Sequence, residues 1–471
     1  MAIRSILGNI AGHLPRSIIE LGTDIYNRIP LEVRYGAVFR DAAERLQRSQ
    51  FWSAEEHAAW QLKELRTLVR HAYEYVPFYR KLYDSHGVTP EAIRTLDDIR
   101  TLPFTTKQDI REHRESLRAT NLPASRFQYH TTGGSTGKPV GLYWDADRTV
   151  PLEKAFMRRQ WRWAGFEMER DRSAILRGLP VGNGELYETL GGNQIRLSTY
   201  TMTEQMIDGY VALIDRYKPV AIQAYPSAAY IFAQHLLRRG GHRFDSLKAI
   251  LCGSENLYPW QRSVLAEAFG CRVYSWYGQS EYVALGGECE HSTDYHFYSE
   301  YGVTEILGAG DSVAAPGEEG EIIATGFNNR AFPLIRYRTE DVARRSRSAE
   351  CVCGRHYLRV ENVEGRLQEM IVSRHGNLIS MTALNMHSSV FDSLYQFQFY
   401  QDTPGAIIFR AKPKPAFSKA EEERILAALR QKLTDQFDIR IELVDMIEPT
   451  LRGKTSFLVQ KLPVDTQRQF G

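Results

Sequence analysis

Residues 247–281 read L-K-A-I-L-C-G-S-E-N-L-Y-P-W-Q-R-S-V-L-A-E-A-F-G-C-R-V-Y-S-W-Y-G-Q-S-E. Two short apolar runs, 247–252 and 272–276, have strand character, and the helical stretch Pro259–Phe269 lies between them. Strand, helix and strand in this order predict a parallel βαβ unit. Ligands gather at the carboxyl ends of such strands. That rule singles out Gly253, Ser254 and Glu255 after the first strand, and Tyr277, Gly278, Gln279, Ser280 and Glu281 after the second. The same residue types also make ordinary strand-to-helix turns, so both readings stand at this point.

The alternation extends upstream. Helical spacing covers 148–165, 203–217 and 228–239, and strand-like runs occupy 173–178 and 221–225, the latter ending in Pro226-Ser227. Further upstream, Trp60, Leu62, Leu65, Leu68 and Val69 mark a helix over 52–76 that Pro77 ends. Short helices at 78–83 and 96–102 and a capped turn at 102–107 complete an aromatic, structural front end over residues 1–125. Downstream of residue 298 the chain changes to short β-like runs at 303–307, 320–325 and 334–337, with a polar turn at 326–330 and a charged strand end at 336–341. A tail of about a hundred residues then shows strand (396–400, 406–410), helix (418–433) and strand (439–444), an ordinary size for a small domain. The expected fold is α/β. A large N-terminal domain, 1–365, carries parallel and mixed sheets with a β-rich subdomain, and a small mobile α+β domain covers 366–471.

Residues 129–139 read Y-H-T-T-G-G-S-T-G-K-P. Gly133, Gly134 and Gly137 sit among the hydroxyls of Thr132, Ser135 and Thr136, with Lys138 at the exit. Glycines let the backbone approach a ligand closely, and backbone N–H groups, hydroxyls and one cation together wrap a polyphosphate. A flexible surface loop has the same composition. It is not a Walker A loop, because Pro139 stands where Ser or Thr is required.

The 471 residues suffice for two or three cored domains. Hydrophobic residues at 43% and charged residues at 25% describe a soluble globular protein. Lys plus Arg at 59 against Asp plus Glu at 57 leaves +2, which argues for neither nucleic acid nor a membrane surface. Five cysteines without a secreted framework favour a reducing, cytoplasmic compartment. No signal-peptide h-region interrupts residues 1–22, although an amphipathic helix lying on a membrane is a second reading there. Cys289, His296, Cys351 and Cys353 form a Cys, His, Cys, Cys set of the tetrahedral zinc kind, with His291 as the other candidate imidazole. Ordinary thiols are the alternative, since Cys-x-Cys is tighter than the usual knuckle. Cys252 and Cys271 read as core.

Several stretches, in order, resemble the adenylate-forming (AMP-binding) enzymes, within them the phenylacetate–CoA ligase-like group and its CapK branch, named for capsular polysaccharide loci. They are T-G-G-S-T-G-K-P at 132–139, G-S-E at 253–255, Y-G-Q-S-E at 277–281, P-L-I-R-Y-R-T-E-D at 333–341, C-V-C-G-R at 351–355, E-G-R at 364–366 and R-G-K at 452–454. The resemblance implies ATP-dependent activation of a carboxylate, with pyrophosphate release, followed by acyl transfer to a thiol or amine. It implies that the loop from Thr132 to Lys138 holds the leaving phosphates and that Glu281 binds magnesium. Tyr277, Gly278, Ser280 and the Gly253-Ser254-Glu255 turn would form the adenine pocket. Asp341 would accept the ribose hydroxyls, and Arg366 and Lys454 would join catalysis, Lys454 by bridging the carboxylate and the α-phosphate.

Glu281 as a helix cap and Asp341 as a partner of Arg338 are the structural alternatives. Two departures stand out: Glu340 replaces the family's glycine, and Gln368 stands where an acidic hinge residue is usual. The implied partners are a small carboxylic acid and a nucleophilic acceptor, coenzyme A or an amine, with Tyr225, Ser227 and Trp276 as acid-pocket candidates. Alternatives kept open are a CoA ligase of an aromatic acid and a catalytically silent nucleotide-binding scaffold.

Overall fold

Local capping chemistry sets the helix boundaries. The Ser53 hydroxyl accepts the Glu56 N–H while the Glu56 carboxylate returns to the Ser53 N–H, and Thr106 with Asp109 and Ser418 with Glu421 repeat the arrangement. The computed structural model describes residues 22, 25–26, 28–131, 140–177, 186–189, 193–199, 202–364, 370–376, 378–381, 389–391, 393–447 and 457–462. The front end comprises α1 (Leu31–Arg34), α2 (Gly36–Ser49), α3 (Ala54–Tyr75), α4 (Pro77–Ser85) and α5 (Lys107–His113). Residues Leu96–Thr101, expected as helix, form a tight 3₁₀ turn. A hairpin of β1 (Phe127–Thr131) and β2 (Gly141–Asp145) follows, then α6 (Thr149–Trp163).

The alternating region contains β3 (Ser173–Arg177), β4 (Tyr187–Thr189), β5 (Gln194–Ser198), α7 (Glu204–Tyr217), β6 (Ala221–Ala224), α8 (Pro226–Arg238), β7 (Ala249–Gly253), α9 (Pro259–Phe269) and β8 (Arg272–Gly278). After it come β9 (Leu285–Glu288), β10 (Tyr295–Phe297), β11 (Gly302–Leu307), β12 (Glu319–Gly326), β13 (Tyr337–Arg345) and β14 (Leu358–Glu364). The last part holds β15 (Met370–Val372), β16 (Leu378–Ser380), β17 (Leu394–Gln401), β18 (Ala406–Pro413), α10 (Lys419–Leu433), β19 (Asp438–Leu443) and β20 (Leu458–Gln460).

Twelve strands form one sheet, ordered β11-β12-β13-β14-β10-β9-β8-β7-β6-β3-β5-β4. Within it β5, β3, β6, β7 and β8 run parallel to one another, as the βαβ pattern predicts. Every residue of β7 is buried, as expected for a strand covered on both faces. From β8 onward the pairing turns antiparallel, which explains the change in style after residue 298. The last part forms a separate four-stranded mixed sheet, β19-β18-β17-β20, with α10 packed against it. No helix among the described residues is long and apolar enough to cross a membrane.

Two expectations need correction. The run 334–337 is not a strand; pairing begins only at Tyr337. The Ile335 N–H is taken by the Tyr79 hydroxyl at 2.9 Å, and Arg336 holds a left-handed φ of 46°. Asp341 likewise does not end a strand but lies inside β13. A second front-end contact fixes this region: the buried Arg336 guanidinium donates to the carbonyls of Arg100 and Leu102 and pairs with Glu305 at 3.1 Å.

Across the molecule, Glu300 is buried at 2% exposure and receives Arg159 at 3.0 Å, Tyr357 at 2.9 Å and the Ser49 hydroxyl. This network ties α2 and α6 to the segments flanking β10 and β14. Burial alone would push the Glu300 carboxyl up, but the Arg159 charge and the Ser49 hydrogen bond hold it below the usual range. Removing one member of such a pair strands a buried charge, at a cost of about 3–5 kcal/mol, whereas removing both is far milder. Arg159→Leu is therefore expected to lose about that much stability in urea unfolding, and Arg159→Leu with Glu300→Leu to recover most of it. A cost below about 1 kcal/mol for the single variant would show the pair is not structural.

Candidate active site

The carboxyl ends of β6, β7 and β8 lie side by side, because Ala224 pairs with Cys252 and Gly253 with Trp276. Gly253 is required there: a Cβ would fall 2.3 Å from the Trp276 indole nitrogen. Ser254 follows with a left-handed φ of 69°. Both oxygens of Glu255 are engaged at 3.0 Å by the N–H and hydroxyl of Ser227, in the first turn of α8. This carboxylate thus caps a helix and locks the β6 and β7 ends together.

At the end of β8, the Tyr277 hydroxyl donates to Asp341 Oδ2 at 2.8 Å, and Gln279 donates to the same hydroxyl at 3.0 Å. Burial and then the Asp341 charge push the Tyr277 phenol well above its ordinary range, so it remains a donor. Arg338 pairs instead with Asp311 and Glu321, so the reading of Asp341 as its partner falls. Gly278 ends β8, and the Ser280 carbonyl accepts the Trp144 indole N–H at 2.9 Å, joining the β1–β2 hairpin to this turn. Glu281 is 8% exposed and accepts the Tyr337 hydroxyl at 3.1 Å. No helix starts at Glu281, which removes the capping alternative. Burial pushes its carboxyl up, against the opposing charge of Lys107.

The fusion of these pieces depends on a bulge. Glu321 pairs with Val342 and Ile323 with Arg338, so three residues of β13, Thr339, Glu340 and Asp341, stand opposite the single Ile322. Such bulges re-aim side chains beside functional sites. Glu340 adopts φ of 65°, the conformation a glycine would take, so the turn survives the substitution noted in the sequence. Lys107, at the start of α5, donates to the Thr339 carbonyl at 2.8 Å and pairs with Glu340 at 3.0 Å. Sequence reasoning placed Lys107 in a turn and gave it no role; its Thr106–Asp109 capping box was the available signal. Tyr337 was missed too, because only the fold brings it to Glu281.

The predicted metal residues converge. One ligand atom each from Cys289, His296, Cys351 and Cys353 lies within 4.8 Å of all the others. Cys289 and Cys351 sulfurs are 3.7 Å apart, and a tetrahedral zinc with bonds of about 2.3 Å separates sulfurs by roughly 3.8 Å. His296 Nδ1 lies 3.1 Å from the Asp294 carbonyl; a carbonyl only accepts, so Nδ1 carries the proton and Nε2 faces Cys353 with its lone pair. His291 contributes its backbone N–H, 3.4 Å from the Cys289 sulfur, and its ring is not in the cluster. Cys252 is buried at the end of β7 and Cys271 is half-buried before β8, apart from this group.

The loop residues Thr132, Gly133, Gly134, Ser135, Thr136, Gly137 and Lys138, the stretch 365–369 with Arg366 and Gln368, and Lys454 lie outside the described residues. The left-handed backbone at Glu340 gives a direct test. A non-glycine residue there costs about 1 kcal/mol, and a half-exposed ion pair returns less than that. Glu340→Gly is expected to melt at or above the parent, and Glu340→Val, which keeps the strain and loses the pair, clearly below. The reverse order in thermal unfolding would refute the strained turn.

Comparisons with known proteins identify the family. The family model of the CapK C-terminal domain matches residues 371–461. A phenylacetate-coenzyme A ligase of Thermus thermophilus is 30% identical over 335 residues, covering 69% of this chain and 73% of that protein. Protein CapK of Staphylococcus aureus is 22% identical over 475 residues, covering 97% of this chain and all of that one. A crystal structure of 2-hydroxyisobutyryl-CoA ligase in the postadenylation state superposes with a TM-score of 0.57 at 18% identity, covering 88% of this chain and 91% of that one, and shares the fold. The chain therefore belongs to the adenylate-forming enzymes, in the phenylacetate–CoA ligase-like group and its CapK branch.

Proposed function

We propose that this ligase activates a small carboxylic acid with ATP and magnesium, forming an acyl-adenylate and pyrophosphate, and then transfers the acyl group to an amine or thiol acceptor. The observation that carries the reading is the meeting of Tyr277 with Asp341, beside buried Glu281, at the carboxyl end of the parallel strands. Asp341 keeps its second oxygen for ribose hydroxyls, since the Tyr277 hydrogen bond occupies Oδ2. Glu281 is a hard carboxylate ligand suited to magnesium, which wants few protein oxygens and substrate phosphates. Its raised affinity for a proton reflects a dehydrated anion that lacks a full counter-charge, which a divalent cation supplies. Carboxylate attack on the α-phosphorus forms the acyl–phosphate bond, and the bond to pyrophosphate breaks. Both reactants are anions, so positioning and charge neutralisation dominate catalysis.

The loop at 132–138 takes the departing phosphates in this reading, and Arg366 and Lys454 serve from the C-terminal side, with domains 1–365 and 366–471 rotating between half-reactions. The similarity to Protein CapK supports an amine or sugar-linked acceptor in surface polysaccharide assembly; the similarity to phenylacetate-coenzyme A ligases supports coenzyme A. Acid-dependent exchange of pyrophosphate into ATP tests the first step without any acceptor. Asp341→Ala is expected to weaken ATP by on the order of 10-fold or more, and Lys454→Ala to abolish exchange while leaving ATP affinity near the parent value. Measurable ATP binding with no exchange for aromatic, fatty, amino or uronic acids would favour a silent scaffold.

We assign the Cys289, His296, Cys351 and Cys353 cluster to a structural zinc, because four protein ligands leave no open position for chemistry. Metal analysis of the purified protein is expected to give one zinc per chain. Cys353→Ser is expected to lose the metal and lower the melting temperature while leaving the nucleotide contacts intact. Zinc well below one per chain would overturn the assignment.

A further inference from the structure

Arg177 is the last residue of β3, at the carboxyl end of a parallel strand. Arg158, Arg262, Arg355 and Arg359 each meet a carboxylate. Arg177 meets none among the described residues. Its Nε is buried without a hydrogen-bond partner, and its guanidinium lies 5.6 Å from the centre of the Tyr225 ring. Several other arginines share a buried Nε without a hydrogen-bond partner, Arg45, Arg148, Arg158 and Arg359 among them, but none of these ends a parallel strand. Among the described residues, Arg177 alone combines this lack with a place at the carboxyl end of a parallel strand.

Its neighbours define the setting. Leu176 pairs with Ala224, so Arg177 stands beside Tyr225 at the end of β6, and Glu255 follows β7 one strand further on. Glu255 is held by Ser227 and makes no ion pair with Arg177. The cation therefore faces the ligand edge next to an aromatic ring, with two of the acid-pocket candidates, Tyr225 and Ser227, close by. Three strand spacings of about 4.8 Å separate β3 from β8, so Arg177 lies roughly 14 Å from the Tyr277 and Asp341 end of the site. That separation takes it away from the carboxylate that would be activated and toward the distal end of a bound acid.

We propose that Arg177 is a specificity-determining residue, which selects an acid bearing a second anionic group, a carboxylate in the simplest case, at the end remote from the one adenylated. The inference rests on the reading of the site as carboxylate-activating. A guanidinium offers a planar fork to a carboxylate. A neutral acid would leave that cation desolvated and unpaired, which discriminates against it. The Tyr225 ring holds the guanidinium by cation–π attraction before the acid arrives.

Two measurements test this with a chain-length series of dicarboxylic acids, succinate through suberate, against the matched monoacids. In pyrophosphate exchange the parent enzyme is expected to prefer a diacid, and Arg177→Leu to lower kcat/KM for it by on the order of 10- to 100-fold. The KM for ATP and the exchange with monoacids should hold, and Arg177→Lys should restore part of the preference. Calorimetric titration of the same acids without ATP should show the same Arg177-dependent discrimination. If monoacids exchange and the variant leaves the diacid-to-monoacid ratio unchanged, the inference fails and the ligase reading stands. If no acid exchanges while a diacid binds in an Arg177-dependent way, the ligase reading fails and the anion site stands. Loss of ATP affinity in Arg177→Leu, or no Arg177-dependent binding of any diacid, would overturn the role given to this residue.

Discussion

The hydrogen bond from Tyr277 to Asp341 joins the two ways this chain makes a sheet. Tyr277 lies one residue before the end of the last parallel strand and Asp341 sits in a bulge of an antiparallel one, 64 positions later. Neither residue can reach the other unless the twelve strands are continuous, because β13 returns to β8 only through β14, β10 and β9. The polar site is therefore a product of the seam between the two halves. Glu281 follows the same logic, since its partner Tyr337 belongs to the strand that carries Asp341.

The helical front end earns its place by holding that seam. Tyr79 donates to the Pro333 carbonyl and accepts from the Ile335 N–H, the Thr105 backbone brackets Arg336 and Arg338, and Lys107 grips the bulge itself. A left-handed Glu340 would be a liability in an isolated strand. Here the surrounding contacts over-determine the turn, as they do for the left-handed Arg336 just before it. Elsewhere, the cysteine–histidine cluster joins the β9–β10 hairpin to the turn at 351–353, and the Glu300 network ties the segment after β10 to α2 and α6 through buried polar contacts.

Charge placement separates structural from ligand-facing groups. Arg159, Arg262, Arg336 and Arg355 are buried or half-buried, and each spends its charge on an internal carboxylate. Glu281 and Arg177 do not have a full counter-charge of this kind, and both sit at carboxyl ends of parallel strands. In a protein interior such groups persist where a ligand completes them.

What the sequence determined by itself is the local part. Alternating apolar runs and helical spacing place β3, β6, β7 and β8 and their connecting helices within a residue or two, because period and capping are short-range properties. The motif residues at 253–255 and 277–281 followed from the strand ends alone, and the four metal-type residues from their chemistry. Tertiary structure decided the rest. The run at 334–337 looked like a strand but is pinned by Tyr79 and a left-handed Arg336, a contact from 256 residues away and backbone strain that composition does not encode. Asp341 looked like a strand end and became a bulge because its register is set by β12. The partners of Glu281 and Asp341, the grip of Lys107 and the isolation of Arg177 depend on which strands become neighbours, and long-range pairing is the property that no local window contains.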